Sequence, residues 1–273
     1  MLTSLFVPGD RPDRFAKAVD SGADAVVIDL EDAVPAGHKD AARVAAVEFC
    51  ARPARVPVHV RINAPGTAEA DADLAALAGL PGLAGLRLPK VESPADVQAV
   101  AAKAHGADLY CLIESAVGVE RAYAIATAHP AVTAIGLGEA DLRADLNVTD
   151  DAGLAYARGR VVVAARAAGL PPPPMSVYPD VADLDGLAES CRAGRTLGFL
   201  GRSAIHPRQL PVIVTAFRPT PHEVALARTL LQALDEAAEE GRGVAVLPDG
   251  RFADRAMAPA ARRTLDLAAR YPD

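Results

Sequence analysis

Three carboxylates crowd into four residues, Asp29, Glu31 and Asp32, at the end of the apolar run AVVIDLED. Two more, Glu114 and Asp141, close the runs LYCLIE and VTAIGLGEAD. An unpaired carboxylate in a core is costly, so an acid directly after a buried strand is expected at the strand's end, facing a pocket. Two carboxylates on neighbouring strand ends suit Mg2+, which keeps waters and accepts substrate oxygens. Either acid alone could instead cap the helix that follows it. Their coincidence, with Gly138 permitting close approach, puts the two readings level. Three acids in four residues cannot all be buried and charged without partners. Asp29 is the candidate partner of Arg61, which ends VHVRIN between β-branched neighbours. Arg61 could equally clamp a substrate carboxylate in a bidentate fork. Glu31 and Asp32 would then face the pocket and reach a metal through water, unless Asp32 caps a turn. Lys90, in RLPKVE, could form a Schiff base or neutralise the acidic rim; the metal pattern favours the second. His206, in AIHP, has no second histidine beside it and reads as a structural or supporting residue. There is no GxSxG, HExxH or Cys–His constellation.

These residues need strands to carry them. Short apolar segments bounded by Gly, Pro or acids are expected as strands at residues 4–8, 25–30, 56–63, 85–89, 109–114, 133–137, 174–178 and 203–205. Helical patterns fall between them at 11–21, 39–51, 68–77, 93–105, 118–128, 151–168 and 185–197. Ser93, Pro94 and Asp96 form a good helix start. The alternation implies βα units on a parallel sheet. Eight units with nothing left over favour an α/β fold of the TIM (β/α)8 barrel type, whose site lies at the C-terminal ends of its strands. An open doubly wound sheet is the alternative, weakened because no GxGxxG follows the first strand. The barrel is expected over residues 1–218. Residues 219–273 then form a C-terminal arm. Its long helix starts at Thr220, Pro221 and Glu223, a hairpin-like VAVLPDGRFAD follows, and a final helix begins near residue 259. A closed barrel does not need this arm, so a neighbouring subunit is its natural support.

The chain has 273 residues, 51% hydrophobic, enough for one large core. No run suits a transmembrane helix, and MLTSLFVPGDRP lacks the basic region of a signal peptide. Cys50, Cys111 and Cys191 have no metal-like spacing, and an odd count argues against a disulfide framework, so a reducing cytoplasm is expected. A net charge of −7 with no basic run and 4% aromatics argues against nucleic-acid binding.

With those residues in view, the chain resembles the citrate lyase beta-subunit-like family, related to the HpcH/HpaI aldolases. The resemblance runs through SLFVPGDRPDRFAKA, VVIDLEDAV, VRIN, LPKVES, LIESAVG, GEADL, LGFLGRSAIHP, FRPTPHEVALA and DGRFAD. It implies a TIM barrel packed as a homotrimer. The implied activity makes or breaks a carbon–carbon bond in a small hydroxyacyl-CoA thioester with Mg2+, a small keto acid being the other partner. By motif, Glu114 and Asp141 match the Mg2+ ligands, Arg61 the residue on the keto-acid carboxylate, and Glu31 and Asp32 the groups around metal waters. Asp254 matches the catalytic acid of an arm that reaches a neighbour's site, and Arg14 and Lys17 fall where relatives contact coenzyme A. Two positions depart from the pattern. Leu2-Thr3-Ser4 replaces an Arg-Ser near the start, and Met175 stands where an acid often precedes the Val-Tyr pair. The implied substrates are of malyl-, citramalyl-, citryl- or hydroxymethylglutaryl-CoA type. The other readings are a citrate lyase subunit working on an acyl carrier protein in a complex, a class II aldolase without a thioester, and a catalytically silent scaffold. The intact acids and Arg61 oppose the last.

Overall fold

The computed structural model describes residues 1–248 and 250–272. They fall into two compact units, Met1–Ala216 and Phe217–Asp273. The first holds a parallel sheet of seven strands: β1 (Thr3–Pro8), β2 (Ala25–Asp29), β3 (Val58–Arg61), β4 (Leu83–Leu88), β5 (Asp108–Ile113), β6 (Val132–Leu137) and β7 (Arg202–Ala204). Their order is β6-β5-β4-β3-β2-β1-β7, so the sheet curls with consecutive strands adjacent and β7 beside β1. Every residue of β2 is buried, as expected for a parallel strand covered on both faces. Helices follow the strands: α1 (Phe15–Val19), α2 (Lys39–Cys50), α3 (Ala68–Leu77), α4 (Pro94–Ala101), the short pair α5 (Ala116–Glu120) and α6 (Ala122–Ala126), α7 (Glu139–Asp145), α8 (Ala155–Ala167), α9 (Leu184–Thr196) and α10 (Gln209–Phe217).

The expected strand at residues 174–178 is not one. Only Met175 makes a bridge, to Arg202, with its N–H on the Gly201 carbonyl and its carbonyl accepting from Ser203. Pro171, Pro172, Pro173 and Pro174 precede it. Proline has no N–H to donate, so a ladder cannot start before Met175. The full eight-strand closure expected from the pattern is therefore reduced to a curled seven-strand sheet. On its other side this segment is tied to β6 by Ser176, whose hydroxyl donates to the Leu137 carbonyl and accepts from the Glu139 N–H. The sequence pattern does not announce α7 either; it follows Gly138, directly after β6.

The second unit contains α11 (Pro221–Glu239), the antiparallel hairpin β8 (Val244–Val246) and β9 (Phe252–Asp254), and α12 (Ala258–Arg270). Thr220 and Glu223 form a reciprocal capping box with Pro221 in the first turn, as the sequence implies. Leu234, Ala237, Ala245, Leu247 and Ala253 make its small core. Alternation along the hairpin puts Val244, Val246, Phe252 and Asp254 on the face opposite the buried Ala245 and Ala253. Among the described residues no helix is long and apolar enough to cross a membrane.

Candidate active site

The candidate residues sit at or just beyond the C-terminal ends of β2, β3, β4, β5 and β6. Asp29, last in β2, is buried and takes the Nε and Nη2 edge of Arg61 at 2.8 and 2.6 Å. It also accepts the Glu31 N–H at 3.0 Å. The fork of Arg61 is thus held by Asp29, one of the two partners its sequence context allowed. Its Nη1 lies 2.9 Å from Glu31 and 3.9 Å from Asp32. The β2 end is fixed from α2 by Lys39, whose Nζ donates to the Leu30 and Glu31 carbonyls at 2.8 Å each.

Lys90 stands at the centre of the rim. Its Nζ bonds Glu31 and lies 3.5 Å from Asp32, 3.9 Å from Glu114 and 3.8 Å from Asp141. Its backbone is left-handed, with φ 52°, a conformation that costs energy for a side-chain-bearing residue and concentrates at functional sites. Its N–H donates to Glu114 at 3.1 Å. Burial alone would depress the Lys90 ammonium, but its bond to Glu31 and the charges of Glu31, Glu114 and Asp32 raise it overall. Lys90 therefore stays charged, which suits the neutralising role.

Neither Glu114 nor Asp141 caps a helix. Ser115 caps α5 through the Gly118 N–H, and Gly138 starts α7 without a side-chain cap. Glu114 is buried, and its carboxyl is pushed up to about 8 by burial first, then by the negative charge of Glu31, with Asp141 adding to it. Burial likewise raises Glu31. Five carboxylates (Asp29, Glu31, Asp32, Glu114 and Asp141) thus face two cations, Arg61 and Lys90. The donor set has room for a further cation, and hard oxygen ligands select one of the Mg2+ kind. Among the described residues no group of three or more His, Cys, Asp or Glu forms a metal cage. Glu114 and Asp141 would then be the only protein ligands, leaving positions for water and substrate. Gly138 is required here: a Cβ at this position would lie 2.7 Å from the Glu114 carboxyl carbon.

Behind the rim lies a cavity of about 910 Å3, bordered by Arg61, Glu114 and Asp141 at its mouth and by Phe6, Arg87 and Ser203 deeper in. Arg87 is 2% exposed. Arg202, also buried, donates to the Ser176 carbonyl at 2.8 Å. Sequence reasoning passed over both; the available signal was an arginine inside an apolar strand. His206 turns back locally, its Nδ1 accepting the Arg208 N–H at 3.1 Å, a structural role. Arg14 and Lys17 are exposed, on the 3-10 turn Pro12–Arg14 and on α1, and neither borders this cavity. Asp254, in the second unit, is half-buried and accepts the Ala256 N–H at 2.9 Å.

Residues 2–207 match the sequence model of the HpcH/HpaI aldolase/citrate lyase family. A (3S)-malyl-CoA thioesterase of Cereibacter sphaeroides is 37% identical over 267 residues, 96% of this chain and 92% of its own. The solved CitE protein of Mycobacterium tuberculosis, in complex with magnesium, acetoacetate and coenzyme A, is similar with a TM-score of 0.82 at 35% identity, over 98% of each chain. A citrate lyase beta subunit from the same organism, complexed with oxaloacetate and magnesium, is similar with a TM-score of 0.71 at 38% identity, over 80% of this chain and 96% of that one.

Proposed function

Because this chain belongs to the HpcH/HpaI aldolase/citrate lyase family, we propose that it is a Mg2+-dependent carbon–carbon lyase acting on a small β-hydroxyacyl-CoA. The observation that carries this is that Glu114 and Asp141 flank one point, the Lys90 ammonium, at 3.9 and 3.8 Å, and both border the cavity. The relatives that bind magnesium with coenzyme A and acetoacetate, or with oxaloacetate, support the cofactor and the two halves of the substrate.

In cleavage the β-hydroxyl loses its proton and its electrons form a carbonyl. The Cα–Cβ bond breaks, and its electron pair becomes the thioester enolate, which takes up a proton. The products are a keto acid and an acyl-CoA. Glu114 and Asp141 would hold Mg2+, which when bound supplies a Lewis acid where charge develops on oxygen. Arg61, oriented by Asp29, presents Nη1 to the keto-acid carboxylate and fixes its position. Glu31 and Asp32 accept hydrogen bonds from water at the rim. Asp254 is the proton donor to the enolate carbon, and the base in the condensation direction. It acts from a neighbouring chain in a homotrimer. Two observations support that arrangement: Asp254 shares a hairpin face with Val244, Val246 and Phe252, and these three are 44%, 68% and 58% exposed. Arg14 and Lys17 are assigned to coenzyme A on their exposure and their motif. We also take residues 1–218 as a barrel that the 174–178 segment closes between β6 and β7 without forming a full strand, and 219–273 as the arm. The bridge at Met175 and the Ser176 link to β6 support that closure.

The test is a screen of malyl-, citramalyl-, citryl- and hydroxymethylglutaryl-CoA. Keto acid and acyl-CoA should appear together with Mg2+ and not after EDTA. Free coenzyme A and the uncleaved hydroxy acid would instead mark a thioesterase, the activity for which the Cereibacter relative is named.

A further inference from the structure

Arg87 is an expensive residue without an evident use. It lies on β4, in register with Arg61 on β3 and Tyr110 on β5, and borders the cavity. Among the described residues no carboxylate lies within ion-pair distance of it. Its guanidinium carbon stacks 4.5 Å from the Tyr110 ring centre and 5.4 Å from that of Phe6. Its Nη1 meets the Ser203 hydroxyl at 3.3 Å, and its Nε has no hydrogen-bond partner among the described residues. Burial pushes its pKa down, and the charge of Arg61 adds to this. Acids line the cavity, Glu114 and Asp141 among them, but among the described residues none forms an ion pair with Arg87. Leu112 and Met175 are apolar, and Tyr110 stays neutral, its phenol pushed up to about 12 by burial. The other buried arginines of the cavity are engaged, Arg158 with Glu139 and Arg202 with the Ser176 carbonyl and the Cys191 thiol, and so is the half-buried Arg61 with Asp29. Stacking on two rings offsets only part of the cost of a desolvated charge. A ligand that brings its own anion would remove that cost.

We propose that Arg87, with the Ser203 hydroxyl, is the receptor for a second carboxylate on the hydroxyl-bearing half of the substrate. This rests on the lyase reading above and narrows it: the keto acid released is a 2-oxo diacid, not a 2-oxo monoacid. Arg61 and Arg87 flank the same Phe6 ring, each guanidinium carbon 5.4 Å from its centre. A small diacid can therefore lie across Phe6 with one carboxylate at the rim, beside the cation position, and the other inside the sheet.

The experiment compares binding of oxaloacetate and pyruvate by calorimetry, with Mg2+, to the wild type and to Arg87→Met, which removes the charge and keeps most of the volume. The wild type should bind the diacid ~10-fold or more tightly than the monoacid, and Arg87→Met should erase that preference while leaving pyruvate unchanged. Succinate, titrated in EDTA, should raise the melting temperature of the wild type and not of the variant. The unliganded variant should melt no lower than the wild type, because it loses an unpaired buried charge. If Arg87→Met fails to fold, Ser203→Ala carries the test and should cut the diacid preference several-fold. An unchanged preference in these variants, or no binding of any diacid to the wild type, overturns the proposal. Diacid binding that depends on Arg87, without thioester cleavage, would refute the lyase reading and leave this receptor standing. Cleavage confined to thioesters that yield monoacids would do the reverse.

Discussion

Arg61 shows how one side chain serves both packing and chemistry. Asp29 takes the Nε and Nη2 edge at 2.8 and 2.6 Å, so only the far nitrogen can meet a substrate. Lysine offers no planar fork and would lose both the Asp29 pair and the aim. Arg61→Lys should therefore cost ~10²-fold or more in kcat/KM, ~2.7 kcal/mol of transition-state binding, in a protein that circular dichroism reports as folded. A near-normal rate would reduce Arg61 to a structural partner of Asp29. His59, two residues earlier on β3, answers to pH instead. Burial, and then the charge of Arg87, push its imidazole down to about 3. Above its ordinary pKa near 6.5 it is neutral, folded or unfolded, and has no effect. As pH falls from ~6.5 toward 3, the unfolded chain takes a proton that the folded chain refuses, so stability drops. Urea melts across that window should show this acid loss in the wild type and a shallower one in His59→Leu.

The strand and helix ends decide whether the rim forms. Gly138 joins β6 to α7, and a Cβ there would press on the Glu114 carboxyl carbon at 2.7 Å. Gly138→Ala should retain the fold and lose ~10²-fold or more in activity, since small displacements of a positioned group are costly; unchanged activity would mean that Glu114 does not need its observed place. On α11, Thr220→Ala removes the hydroxyl that caps the Glu223 N–H and should cost ~1 kcal/mol in denaturant melts. Such ends were legible in the sequence, because capping and strand termination are local. Ser93, Pro94 and Asp96 start α4 as expected, and Glu114 closes β5. What was not legible depends on distant partners. Residues 174–178 read as a strand from their apolar pattern, yet the prolines before Met175 leave too few donors for a ladder. Arg87 looks ordinary between two leucines; only the folded sheet shows that no acid comes to meet it. Lys39 holds the β2 end from a helix, a contact that no spacing announces.

On the proposed mechanism, the rim of one molecule works with the proton donor Asp254 on the arm of another. A mixture of Asp254→Asn and Glu114→Ala chains should then recover part of the lost activity, because a hybrid can hold one composite site with both groups intact. If labelled subunits exchange and the mixture stays as inactive as either parent, the shared site is wrong. The proposed chemistry depends on the pair of carboxylates that follow β5 and lie on α7, Glu114 and Asp141. Its most direct test is a Mg2+ titration by calorimetry of the wild type and Glu114→Ala, each also assayed for keto-acid release from the active thioester. The wild type should bind Mg2+ and cleave, and the folded variant should do neither. A Glu114→Ala protein that still binds Mg2+ and still cleaves would contradict Glu114 as a metal ligand.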